Sequence, residues 1–313
     1  MKNIFIKFSA LIGYLVYSGV VLVLLLWLLF PSMALKKFLE ASATQSSSSL
    51  QLSIEELQVN HPLLLTITNT TIYRTNKNDK PLLTIDKISL SPDIVKSLRE
   101  FAPCFFYNIM TLDGEVEGNA KIVYKSGELQ LSAIFSSLHP EKADLSKWVM
   151  GRQLSGSIKG KVTYKGNVHQ PTAGSIEGSL QVTDGEVTLL KPILAMEQLR
   201  FKTVSTTLSG ELSELNLQGG KITTELFNGE FAGKIKGIMK VNNSRLFITG
   251  ELAPQAELFR KGEKDPTVIM VRSLIDNGTL PFSLSGTLRN PGILFQRENP
   301  VGNEDEQGGA ELQ

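Results

Sequence analysis

Apolar and polar residues alternate with a period of two through most of this chain. The pattern is clearest from Leu154 to Leu252. In the run Leu154-Ser-Gly156-Ser-Ile158-Lys-Gly160-Lys-Val162-Thr-Tyr164, even positions are apolar or Gly and odd positions are Ser, Lys or Thr. That alternation predicts strands with one apolar and one wet face. The unit apolar-x-Gly-x-apolar returns in Phe231-Ala-Gly233-Lys-Ile235, Leu112-Asp-Gly114-Glu-Val116, Ile176-Glu-Gly178-Ser-Leu180 and Leu284-Ser-Gly286-Thr-Leu288. Gly weakens a flat strand, so its recurrence on the apolar face points to a strongly curved sheet. There it permits tight bends or close approach across a concave surface. The apolar groove face would carry Ile158, Val162, Leu180, Phe231, Ile235 and Met239, with Lys and Ser on the outside.

Turn signals arrive roughly every 8–15 residues, with few long helices between them. Parallel strands need a helix per crossover, so they do not fit. The expected fold is mainly β: a long, curved antiparallel sheet with a few short helices. Roughly 16–18 strands at about 4.8 Å spacing would give a groove of about 80 Å at most. Strands begin at Leu50, and hairpin turns are expected at Asp184-Gly185, Gly219-Gly220 and Asn228-Gly229, with a weaker one at Asn242-Asn243. A helix is expected from Ser91-Pro92-Asp93 to about Arg99, with Ser as N-cap and Pro at its first position. Further short helices are expected over Pro140–Met150 and Pro254–Lys261, and a clearer one from Asp265-Pro266 to Asn277-Gly278. The aromatic run Phe101 to Tyr107 reads either as a core connection or as a lip for a lipid or a partner.

The first 49 residues have a different character. No charge occurs from Phe8 to Leu35. Roughly 20 apolar residues suffice to cross a bilayer core, so residues 11–32 are expected to form a transmembrane signal anchor. Ala41-Ser42-Ala43 resembles a signal-peptidase site, but the apolar run exceeds the roughly 7–15 residues of a signal peptide. Lysines flank the segment equally. The short basic tail, 1–10, favours a cytoplasmic N-terminus with the bulk of the chain outside the cytoplasm. Residues 33–49, Ser-rich from Ala41, read as a flexible linker. The β domain is expected over 50–299, and a polar, disordered tail over 300–313.

Composition narrows the function classes. A net charge of +1 gives no concentrated basic face, so nucleic acid is not an expected partner. A single Cys excludes an intramolecular disulfide, and the three His are too scattered for a metal site. No P-loop, nucleophile elbow or dinucleotide fingerprint is present. Glu115 and Glu117 alternate outward as a solvated face, while Asp113, Asp184 and Asp265 fit turn and cap chemistry. No catalytic constellation assembles, so an enzyme is not expected and no cofactor is implied.

The anchor and the Gly-punctuated strands together resemble the AsmA-like proteins of the Gram-negative envelope. The resemblance sharpens over Leu199 to Leu252, at Leu208-Ser-Gly210-Glu-Leu212 and Leu226-Phe-Asn-Gly229-Glu-Phe231-Ala-Gly233. The length and the ending Leu280-Pro-Phe282-Ser-Leu-Ser-Gly286-Thr-Leu-Arg-Asn-Pro291 are more similar to the GspN family of type II secretion components. The resemblance implies an inner-membrane protein with a periplasmic β domain that docks other secretion components. The broader AsmA-like likeness implies the alternative, a groove that holds phospholipid acyl chains. Neither family has catalytic residues to carry over.

Overall fold

The computed structural model describes residues 13–15, 17–22, 24–25, 29–46, 50–60, 63–75, 80–193, 196–238, 244–260, 265–275 and 277–295. Its strands are β1 (Leu50–Asn60), β2 (Leu64–Arg74), β3 (Pro81–Pro92), β4 (Cys104–Thr111), β5 (Gly114–Val123), β6 (Glu128–Leu138) and β7 (Leu154–Asn167). They continue with β8 (Gln170–Ile193), β9 (Met196–Glu211), β10 (Glu214–Thr223), β11 (Phe227–Lys236), β12 (Arg245–Pro254), β13 (Leu280–Gly286) and β14 (Pro291–Phe295). The helices are α1 (Ser32–Ser46), α2 (Ile94–Glu100), α3 (Leu145–Met150), α4 (Ala256–Arg260) and α5 (Pro266–Leu274), with a 3-10 turn at Pro140–Lys142.

Each strand pairs antiparallel with the next, so spatial order equals chain order across one 14-stranded sheet. Thirteen gaps of about 4.8 Å give a run of about 62 Å, shorter than the sequence pattern suggested. Tight local turns enforce the meander. Leu112 and Asp113 both have φ 55°, the left-handed pair that matches the twist of a two-residue hairpin. Asp113 also pairs with Lys142 at 2.7 Å.

The register carries one apolar row from the first strand to the last. It starts Val59–Leu65–Leu90–Tyr107 and passes through Gly118–Ala133–Val162–Gly178. It ends Leu208–Leu217–Gly233–Ile248–Leu284–Ile293. Cross-strand partners share a face, so this row defines one continuous apolar surface.

Within the surface, glycines sit beside large side chains. A Cβ added at Gly220 would lie 2.4 Å from Cε2 of Phe231, its partner on β11. One added at Gly185 would lie 2.2 Å from Cζ of Phe201. The rings lie over bare backbone, which lets bulky residues pack without a second layer above them. The chain twists as it goes. Six steps of about 20–25° turn β13 well past a right angle relative to β7. Arg152, just before β7, nonetheless donates to the carbonyl oxygen of Leu288, after β13, at 3.1 Å; six strand spacings are about 29 Å, so the sheet also curls between β7 and β13.

Bulges, two of them at expected hairpin turns, keep the apolar residues in phase. Asp184-Gly185, expected as a hairpin turn, lies inside the continuous β8, where both residues oppose Gly156. The apolar phase changes there, from Ile176, Leu180 and Val182 to Gly185 and Val187. A bulge absorbs the extra residue, and Asp184 takes φ 51°, a conformation Asp tolerates. Gly219-Gly220 is likewise a bulge in β10, where both residues oppose Thr206 of β9, with Gly219 at φ 56°. Asn228-Gly229 lies within β11. The actual turn is earlier: the Thr224 hydroxyl accepts from the Leu226 and Phe227 N–H groups at 3.1 and 2.8 Å. Asn242-Asn243 lies outside the described residues.

The helices also differ from expectation in detail. Asp93, not Ser91, caps α2, its carboxylate accepting from Lys96 N at 3.0 Å, while Pro92 still belongs to β3. The expected linker is helical through Ser46. Leu35 and Leu39 of α1, with Phe30, pack on Ile54, Leu57 and Ile67. Glu40 accepts from the Ile54 N–H at 2.9 Å and Lys36 donates to the Glu55 carbonyl at 3.1 Å. Helix α1 thus satisfies backbone groups of the edge strand β1. At the other end, Leu258, Val268 and Val271 of α4 and α5 bury completely against Phe227 and Leu280. Among the described residues no helix is long and apolar enough to cross a membrane. The expected anchor is only partly covered, at 13–15, 17–22, 24–25 and 29–32, and the expected tail lies outside the described residues.

Ring-over-glycine packing predicts a coupled pair. Gly220→Ala should cost about 1–3 kcal/mol by overpacking. Combining it with Phe231→Leu should cost less than the sum of the single changes. Urea denaturation of the four-member cycle measures the coupling; strict additivity would contradict the packing.

Candidate functional site

The candidate site is the apolar surface itself. Ile158 pairs with Leu138 and Val182, Val162 with Ala133 and Gly178, and Leu180 with Gly160 and Thr206. Phe231 pairs with Gly220 and Gly250, and Ile235 with Leu215 and Leu246. All five are half-buried, whereas the intervening Lys159, Lys161, Ser179, Lys234 and Lys236 are exposed. The register puts the five on one face but in neighbouring rows and on three strands. They belong to an extended surface and do not converge on a point. Met239 lies outside the described residues.

Sequence reasoning did not assign the N-terminal half of the surface. Leu65, Leu90 and Tyr107 stand in the same row as Val162. Their apolar character was visible in the sequence. Their membership depends on cross-strand register, which no local pattern specifies.

The surface is unevenly covered. Helix α1 lies over its β1–β3 end, and α4 and α5 close the β11–β14 end. Next to the latter, an open depression of about 1520 Å³ is lined by Gly220, Phe231 and Phe282, with the charged Lys221, Glu230 and Glu251 at the same opening. Between these ends Ala133, Val162 and Leu208 are half-buried.

Charge is kept on the opposite face. Lys234 and Lys236 of β11 hold Glu214 of β10 at 2.9 and 3.0 Å. Their hydrogen bonds, Lys234 first, hold its carboxyl below the ordinary glutamate range. This contribution is complete above the ordinary range and fades as pH falls through the lowered folded-state pKa. The polar atom within the row is the Tyr107 hydroxyl, which donates to the Ser132 carbonyl at 2.8 Å; burial raises its pKa.

No family model, curated protein or solved structure matches the chain. Its chemistry is therefore read from the surface alone. Among the described residues, no group of three or more His, Cys, Asp or Glu is placed to hold a metal ion. A row of aliphatic, aromatic and glycine positions offers dispersion contacts and exclusion of water, the requirements of an alkyl chain or an apolar partner.

The facing assignment has a direct test. Ile235→Asp should lower stability by about 2–4 kcal/mol, because it places an unpaired carboxylate against Leu215 and Leu246. Lys161→Asp, on the exposed face, should leave the unfolding midpoint almost unchanged. Equal losses in thermal denaturation would contradict the assignment.

Proposed function

We propose that the chain is a non-enzymatic, inner-membrane-anchored component of a Gram-negative type II secretion system, similar to GspN, with its β domain in the periplasm. The observation that carries this reading is an apolar N-terminal segment leading directly into one antiparallel meander with an unbroken apolar row. Leu15, Leu22 and Leu29 of that segment are 71%, 60% and 74% exposed, so they need an apolar environment that the folded domain does not provide. A single bilayer span over 11–32 supplies one. The meander would then act as a docking body for other secretion components, assisting assembly or export of folded proteins.

A second reading is an AsmA-like lipid-binding or transport module. The stretch of apolar face between α1 and the α4–α5 cover favours it. At about 62 Å along the strand stack, such a groove is short for a whole periplasm and would need a partner to complete a path.

Deletion of the gene in a host carrying the secretion cluster should leave folded cargo in the periplasm. The tagged full chain should co-purify with inner-membrane secretion proteins. Normal secretion together with a clean pull-down would refute the first reading. Photo-crosslinkers at Val162 and Lys161 address the second: phospholipid adducts should form at Val162 alone, and absence of adducts at both would remove the lipid reading.

A further inference from the structure

Helix α2 carries its apolar residues on the outside. Ile94, Val95, Leu98 and Phe101 are 55%, 79%, 72% and 96% exposed, and none of its residues is buried. Positions 94, 95 and 98 follow helical spacing and form one stripe, with Phe101 after them at the C-cap. Tyr124, 84% exposed, lies two residues past Ile122, whose N–H donates to the Pro103 carbonyl just after α2. The stripe is also built at a cost. Phe101 caps the helix with φ 49°, a left-handed conformation that Gly or Asn adopts far more readily. Lys96, Arg99 and Glu100 stand exposed on the same helix, and Glu100 is paired with Lys121 at 2.6 Å, which leaves the two basic groups in excess there.

The position of α2 identifies what covers it. Helix α1 runs antiparallel to β1, since Lys36 meets Glu55 while Glu40 meets Ile54. Its start, with Phe30, therefore points toward the Asn60 end of β1. Strand β3 reaches that same end at Pro92, because Leu90 pairs with Leu65 and Leu65 with Val59. The N-terminal apolar segment and α2 thus leave the sheet at one end, about 10–15 Å apart, or two to three strand spacings.

We infer that α2 is an interfacial membrane helix: its stripe Ile94, Val95 and Leu98, with Phe101, seats in the headgroup–acyl boundary of the bilayer that holds the N-terminal segment. Apolar side chains on one side of a short helix, with basic residues beside them, match an in-plane amphipathic element on an anionic surface. Aromatic residues such as Phe101 and Tyr124 suit that depth. With two attachments, the sheet is held at a fixed orientation to the bilayer. This rests on the anchor reading above, and the test separates the two.

Full-length protein carrying Cys104→Ser is reconstituted into phosphatidylethanolamine–phosphatidylglycerol vesicles. Single nitroxides are placed through Leu22→Cys, Leu98→Cys, Phe101→Cys or Lys161→Cys. Accessibility to oxygen should exceed accessibility to a water-soluble nickel chelate at Leu22, Leu98 and Phe101, and the ratio should reverse at Lys161. Lipid-like values at Leu22 with water-like values at both α2 positions would overturn the docking of α2 and leave the anchor standing. Water-like values at Leu22 would overturn the anchor reading, and this inference with it. The two α2 sites are exposed, so loss of fold does not confound them; circular dichroism of each labelled protein verifies this.

Discussion

The sheet depends on contacts between large side chains and the glycines beside them. A sheet with one apolar face normally buries that face against a second layer. Among the described residues the middle strands carry no such layer, and the apolar face packs largely on itself. Phe231 over Gly220 and Phe201 over Gly185 show how this is done: the missing Cβ is the space the ring occupies. The same vacancy admits the curl of the sheet that brings Arg152 to Leu288. Curvature and self-packing therefore have one cause.

An open meander leaves two unpaired edges, each a template for unwanted pairing. The N-terminal edge is managed by α1, whose Glu40 and Lys36 bind β1 backbone groups directly. The C-terminal edge is short, begins with Pro291, and has Phe295 packed against the α4–α5 cluster. The helices thus act at the margins, and the central apolar face is left for other contacts. An extended surface without charged groups in its main row suits recognition of alkyl or apolar protein surface.

Polar organisation follows the same division. The pairs Lys234–Glu214 and Lys236–Glu214 link neighbouring strands on the wet face. Exposed pairs of this kind contribute little each. Their larger effect is on register, because a one-residue slip would carry lysines onto the apolar face.

The sequence by itself determined the strand character, the antiparallel class, the short helices near Asp93 and Asp265, and which residues along each strand share a face. These are local properties, set by a two-residue period and by cap and turn chemistry acting over a few positions. Tertiary structure decided the rest. Asp184-Gly185 and Gly219-Gly220 carry hairpin chemistry yet form bulges, because pairing with both neighbouring strands keeps the chain extended and a bulge restores the apolar phase. Residues 41–46, expected as linker, became helix because Leu35 and Leu39 of the same helix found a partner surface on β1 and β2. The row from Val59 to Ile293 was likewise illegible beforehand. Alternation says which face a residue takes, whereas register across thirteen strand pairs says which residues it meets.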